Sequence, residues 1–259
     1  MFQQHEEFQE PEDTTILWRY VDLARYLDLL LKKQLFFSRA DKFEDPFEGK
    51  SNKPGTHKWL KDHIKQMPKE SGMKVDIEKA KQKIGKAKQK QNKKRAEVTV
   101  SSWHVNKDES YAMWRIYSKG NYGIALQTNF ERLKRCFEFT DKSIHIGTVI
   151  YYDEKCDPVP VNNNSFIPFL RKRRIYEYEN EVRCCYALSP DSGKKFEWQQ
   201  QDIYNGVFIP VDLDTMIERV YISPYSPNWL RDIVEGINKK FDLKKEIVHS
   251  KVFDSADYE

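Results

Sequence analysis

At 259 residues the chain can bury one substantial core, or a core with a small appendage, and its 14 Tyr, 15 Phe and 6 Trp exclude disorder throughout. No apolar run approaches the roughly 20 residues a membrane-spanning helix needs, which argues against a membrane partner. The formal charge of +4 hides an asymmetry: residues 58–95 hold 14 Lys or Arg against 4 Asp or Glu, so the remainder of the chain is net acidic at −6.

The first residues, Met1 to Asp13, are acidic and polar, without the basic and apolar regions of a secretory signal. Residues 1–14 are expected to form a disordered or loosely packed tail, and residues 251–259 a second one. The cysteines are Cys136, Cys156, Cys184 and Cys185; no two form a C-x-x-C pair. Buried free thiols in a reducing, cytoplasmic compartment are expected.

Thr15–Tyr20 (TILWRY) is short, apolar and β-branched or aromatic around a single arginine, and predicts a strand. Asp22 is an N-cap for a helix on which Leu23, Tyr26, Leu27, Leu30 and Leu31 share a face, with lysines at its C-terminal end. Leu35–Phe37 returns to strand, and Ser38–Gly49 is a polar loop. Residues 56–97 shift to Lys, Gln and Ala and predict an exposed helical insertion. Strands follow near 97–103, 123–128, 146–152, 181–188, 207–210, 217–222 and 247–249. Helices are expected at 109–117, 129–136, 166–174 and 227–241. Strands neither alternate regularly with helices nor segregate from them, so the fold class is α+β: one domain over 15–250 with a mixed, largely antiparallel sheet and flanking helices.

Polar residues inside these buried-looking segments mark the candidate chemistry. Arg19 sits in an apolar strand and needs an anion or a core carboxylate. Asp41, Glu44, Asp45 and Glu48 cluster in one loop, as metal ligands or as turn-forming residues. Ser101, Ser102, Trp103 and His104 lie near a strand end, where hydroxyls can bond a sugar or phosphate and Trp103 or Trp114 can offer a stacking face. Glu177, Glu179 and Glu181 share a face in extended chain, with Arg183, so that mutual repulsion raises the pKa of at least one.

These groups carry a resemblance. Trp18-Arg19-Tyr20, Phe37-Ser38, Asp45-Pro46-Phe47-Glu48, Ser101-Ser102-Trp103, Glu109-Ser110, Met113-Trp114, Tyr117, Gly123-Ile124-Ala125 and Glu179-Asn180-Glu181-Val182-Arg183 resemble the motifs of a bacterial domain-of-unknown-function family, numbered two-nine-seven-one. The order of Arg, Ser and Glu-x-Glu is also similar to ADP-ribosyltransferases of the Arg-Ser-Glu type. That second resemblance implies a related fold and NAD as substrate. It casts Arg19, Tyr20, Ser101, Ser102 and Trp103 as cofactor-binding residues, Glu181 as the catalytic carboxylate and Glu179 as the group that orients or deprotonates the acceptor. It requires Arg19, Ser101 and Glu181 to converge on one hollow.

Two other readings stand beside it. Lys79 to Arg95 carries nine Lys or Arg and no acid, which suits a nucleic-acid-binding module, the acceptor class of the first reading being open between protein and nucleic acid. Asp41, Asp45 and Glu48 suit a metal-dependent nuclease; the transferase reading itself assigns no metal.

Overall fold

The computed structural model describes residues 1–50, 86, 89, 92–118, 120–153, 157, 166–188 and 205–253. Most of the 56–97 insertion, Cys156, and residues 254–259 lie outside them.

The first strand, β1 (Ile16–Asp22), runs into α1 (Leu23–Lys32). Asp22 caps that helix by accepting from Arg25 N at 2.7 Å, and Lys33 ends it in the left-handed region at φ 50. Tyr26, Leu29 and Leu30, three and four positions apart, are its buried face. Next come β2 (Gln34–Arg39), β3 (Val98–Val105), α2 (Tyr111–Tyr117), β4 (Gly123–Asn129) and α3 (Phe130–Arg135). Then follow β5 (His145–Thr148), β6 (Ile150–Tyr152), β7 (Arg171–Arg173), β8 (Glu181–Ala187) and β9 (Gly206–Pro210). The last elements are α4 (Leu213–Met216), β10 (Arg219–Ile222), α5 (Trp229–Lys240) and β11 (Glu246–His249).

Nine described strands form one sheet whose main path is β11-β10-β4-β1-β3-β2-β9, with β8 on β3 and β5 on β8. Every pairing in it is antiparallel except β10 with β11, as the α+β reading expected. Its larger core face packs Leu17, Trp103, Leu126, Val182 and Cys184 against α1, α3 and α5. The opposite face carries Trp18, Tyr20 and Ala125 under Met113 and Trp114 of α2, and Val98, Val100 and Cys185 under Phe166, Phe169 and Leu170. Cys136, Cys184 and Cys185 are buried free thiols.

One edge of β3 is divided. Its pairing with β2 ends at Val100 and its pairing with β1 begins at His104, while β8 runs along the whole other edge from Val98 to His104. Among the described residues, Ser101, Ser102 and Trp103 therefore have no strand partner on the edge where β1 and β2 part.

Several expectations are corrected. The N-terminal residues are packed rather than loose: Phe2 bridges Ile144, Thr148 N donates to Gln9 O at 2.8 Å, and Phe8 is 5% exposed. The strand expected over 146–152 is two strands in different sheets, because β6 leaves β5 to pair with β7 in parallel. The helix expected over 166–174 is a short 3₁₀ turn at Ile167–Phe169 followed by β7. The basic run Arg171–Arg173 is the strand that positions Lys172.

Candidate functional site

Five charged side chains from four segments meet beneath the sheet face that holds Cys185 and Val100. Lys172 Nζ on β7 lies 2.8 Å from Glu179 Oε2, 2.8 Å from Glu181 Oε1 and 3.2 Å from Glu48 Oε1. Arg183 on β8 donates Nε to Glu181 Oε2 at 2.8 Å and Nη2 to Glu181 Oε1 at 3.0 Å. It also donates Nη2 to Glu48 Oε1 at 3.1 Å and Nη1 to Phe169 O at 2.7 Å. Tyr117 on α2 donates its hydroxyl to Glu179 Oε2 at 2.8 Å. Glu181 and Arg183 are 3% and 1% exposed, and Glu48, Lys172 and Glu179 are also buried.

Local backbone explains how two glutamates so close in sequence reach one ammonium. Residues Arg174–Glu179 form a 3₁₀ turn that ends at Asn180, whose φ of 38 lies in the left-handed region that asparagine tolerates. Asn180 Nδ2 holds the turn by donating to Val105 O at 2.8 Å, and Val105 N donates to Asn180 O at 2.8 Å. The expected alternation of three glutamates on one strand is thus replaced by a turn: Glu179 and Glu181 face inward and Glu177 is exposed. Glu48 arrives through a tight loop in which Asp45 Oδ1 accepts from Phe47 N at 2.9 Å. Gly49 sits at φ 70, where an added Cβ would come within 2.2 Å of Phe169 Cε1.

The cluster has three carboxylates and two cations, an excess of one negative charge. Burial would raise the pKa of Glu181, but Arg183 and then Lys172 overcome it and hold that carboxyl well below the usual range. Glu179 shifts the other way: burial and the charge of Glu181 raise it, only partly opposed by Lys172. His104 stands beside them, its Nδ1 2.6 Å from Glu179 O and its buried Nε2 without a partner; burial lowers its pKa. A carboxylate held in its ionised form next to one that takes a proton more readily is an arrangement suited to acid–base work.

Arg19 lies elsewhere. Its Nη1 donates to Ser101 Oγ and, at 3.1 Å, to Ser102 O; its Nη2 reaches Phe36 O at 3.4 Å. The guanidinium sits 5.7 Å from the centre of the Trp103 ring. It occupies the gap where β1 and β2 part and touches the unpaired edge of β3. No carboxylate among the described residues meets it, so the expected ion pair in the core is not formed. Burial, and to a smaller degree Arg25, lower its pKa to about 10.

The predicted site residues therefore divide. Ser101 and Trp103 share a face with Val182 and Cys184, and Arg19 points to that face; Ser102 and His104 share the other with Glu181 and Arg183. The expectation that Arg19, Ser101 and Glu181 line one hollow is corrected by this alternation. What lies between the two groups is the free edge of β3 at Ser102, an exposed residue whose carbonyl binds Arg19 and whose strand neighbour is Arg183. Tyr20 is 8% exposed, accepts from Ser110 N at 2.8 Å and packs edge-on to Trp114, so it is a core residue. Trp103 and Trp114 are interior as well, at 1% and 0% exposure, and neither offers a stacking face. The Trp103 indole nitrogen is buried without a partner. Glu181, expected as the reacting carboxylate, has both oxygens bound.

The loop carboxylates do not gather around a shared centre. Asp41 pairs with Arg39 at 2.9 Å and Asp45 with Arg173 at 3.0 Å; Glu48 joins the cluster above, and Glu44 is exposed. Among the described residues no His, Cys, Asp and Glu group is placed to hold a metal ion. Of the basic segment Lys79–Arg95, little is described, but Arg95 is buried at 7% exposure and donates to Ala40 O at 3.0 Å, so that end serves packing. No helix of the described residues is long and apolar enough to cross a membrane.

Sequence reasoning missed Lys172, which stands among three arginines and carried no signal. Glu48 and Tyr117 were already present in the quoted motifs, without an assigned partnership with Glu179 and Glu181.

No protein-family model and no curated protein matches the chain, so the resemblance to the numbered bacterial family rests on its motifs. Among solved structures, the chain is similar to Thermus sp. 2.9 DarT in complex with NAD+, with a TM-score of 0.41 and 8% identity over 94% of this chain and 98% of that one. It is also similar to Thermus sp. 2.9 DarT in complex with ADP-ribosylated single-stranded DNA, with a TM-score of 0.39, again at 8% identity over 94% and 98% of the two chains. At such TM-scores the likeness carries no functional assignment.

Proposed function

We propose that the protein cleaves the bond between ribose and nicotinamide in NAD, as an ADP-ribosyltransferase or an NAD glycohydrolase, with the nucleotide lying across the free edge of β3. The observation that carries this reading is Arg19: a half-buried guanidinium whose partners among the described residues are neutral oxygens, on an edge whose other side leads through Ser102 to a buried carboxylate pair. An uncompensated guanidinium suits a phosphate. Ser101 and Trp103 then support the phosphate-binding side through contacts with Arg19, and exposed Ser102 links the two groups by binding Arg19 through its carbonyl and pairing with Arg183.

In the reaction the C1′–N bond breaks and its electron pair leaves with the nicotinamide nitrogen. Positive charge grows on the ribose, and a lone pair of the acceptor, or of water, closes on C1′. The acceptor's proton passes to a carboxylate. Geometry favours Glu179 over Glu181 for that position. Among the described residues Glu179 has two donors on Oε2 and none on Oε1, whereas Glu181 is fully engaged and sets the field. The acceptor class we propose is nucleic acid, supported by the acid-free run of eight lysines over 79–94.

Chromatography of nicotinamide after incubation with NAD, alone and with single-stranded DNA, RNA or protein, tests this. The wild type releases nicotinamide and Glu179→Gln releases it about 10²–10³-fold more slowly. No release under any of these conditions, or equal rates in the two proteins, overturns it.

A further inference from the structure

Lys172 is the hub of the buried cluster, and its surroundings assign it a task that its sequence neighbourhood does not announce. An ammonium has three N–H donors, and Nζ lies within reach of three carboxylates, those of Glu48, Glu179 and Glu181. Its charge also lies 4.7 Å from the centre of the Tyr176 ring. Arg183 serves Glu181 and Glu48 but does not touch Glu179. Lys172 is therefore the one cation paired with Glu179 among the described residues, and it shares the Oε2 atom with the Tyr117 hydroxyl. Two donors on one oxygen fix the plane of the carboxylate and leave its other oxygen without a hydrogen bond.

Resting on the glycosidic-cleavage reading above, we infer that Lys172 is a positioning residue that holds Oε2 of Glu179 so that Oε1 receives the acceptor's proton, and that Glu48 draws part of the Lys172 charge away from Glu179. Glu48 is suited to this because it is bound by Arg183 on the same oxygen that Lys172 approaches, which anchors it from a second side. Without Glu48, Lys172 would be balanced by Glu179 and Glu181 alone.

The groups that face Glu179 are few. They are Lys172 from β7, Glu181 from β8, Tyr117 from α2, Tyr178 from its own turn, and His104 from β3 through the Glu179 carbonyl. Glu48 and Arg183 stand one contact further away. Because a nearby cation favours the ionised carboxyl and a nearby anion disfavours it, Lys172 and Glu48 act on Glu179 with opposite signs. Charge alone gives these two signs, so the positioning role is read from the pH profile of nicotinamide release and from its rescue by Lys172→Arg.

Carboxyl ¹³C NMR titration of Glu179, assigned by its loss in Glu179→Gln, tests this in the full chain. Lys172→Met is expected to raise the Glu179 midpoint by about one to three pH units, Lys172→Arg to stay near wild type, and Glu48→Gln to lower it. In nicotinamide release, the acidic limb of the pH profile is expected to move with each midpoint, because the ionised form is the one that accepts a proton. Midpoints unchanged in both Lys172→Met and Glu48→Gln overturn the inference. Should Lys172→Met fail to fold, Glu48→Gln decides alone: a lower midpoint supports the inference and any other result rejects it. The titration needs no turnover, so a protein that never cleaves NAD removes the functional reading while this measurement still judges Lys172.

Discussion

Arg183 and Arg19 reach β3 from opposite flanks and are satisfied in opposite ways. Arg183, 1% exposed, meets two carboxylates and a carbonyl; Arg19, half-buried, meets a hydroxyl and two carbonyls. Burial lowers the proton affinity of both. The anions Glu181 and Glu48 reverse that for Arg183, whereas nothing of comparable size does so for Arg19. The first guanidinium is consumed by the fold. The second keeps a charge that neutral oxygens do not cancel, and it keeps it at the one place where β1 and β2 leave the edge of β3 open.

The largest expected effect breaks the Arg183 side. Arg183→Leu leaves Glu181 and Glu48 buried with only Lys172 between them and is expected to cost about 3–5 kcal/mol in urea unfolding. Arg19→Met removes hydrogen bonds to neutral groups and is expected to cost about 1–2 kcal/mol. Equal losses would erase the distinction between the two arginines.

A smaller effect concerns pH. Glu181 has a depressed pKa in the fold, so its contribution is fully present above the ordinary carboxyl value and is lost as pH falls from there through the lowered folded value. His104 and His145 are also lowered, which makes the neutral ring the folded form; the unfolded chain takes up those protons first as pH drops below about 6.5. Stability is therefore expected to decline from pH 7.5 toward acid, read as a falling urea midpoint. Glu179, raised by burial, opposes this weakly, because the fold holds its proton more tightly than the unfolded chain does. A midpoint that rises on acidification would contradict the assignment of these groups.

Much of the fold was legible because local signals agreed with the tertiary result. The Asp22 cap, the helical stripe of α1 and the apolar strands around Arg19 and Cys184 all act within a few residues of themselves. The site was legible only in pieces. Glu48, Tyr117, Glu179, Glu181 and Arg183 all stand in recognisable motifs, yet their meeting point depends on Lys172, which a basic run conceals. The face on which Arg19 and Glu181 would emerge depends on register across three strands, and sequence alternation fixes faces only within one. The left-handed turn at Asn180 also escaped notice, because Glu-x-Glu-x-Arg reads equally well as uninterrupted strand.

The measurement that bears most directly on the proposed role of the open β3 edge is NAD affinity in wild type and Arg19→Met, with Glu179→Gln included to suppress turnover. Arg19→Met is expected to weaken NAD binding by about tenfold or more, the loss of a charge-assisted contact, while Glu179→Gln alone stays near wild type. Affinity that is the same with and without the Arg19 guanidinium would contradict the claim that this charge is held for a phosphate.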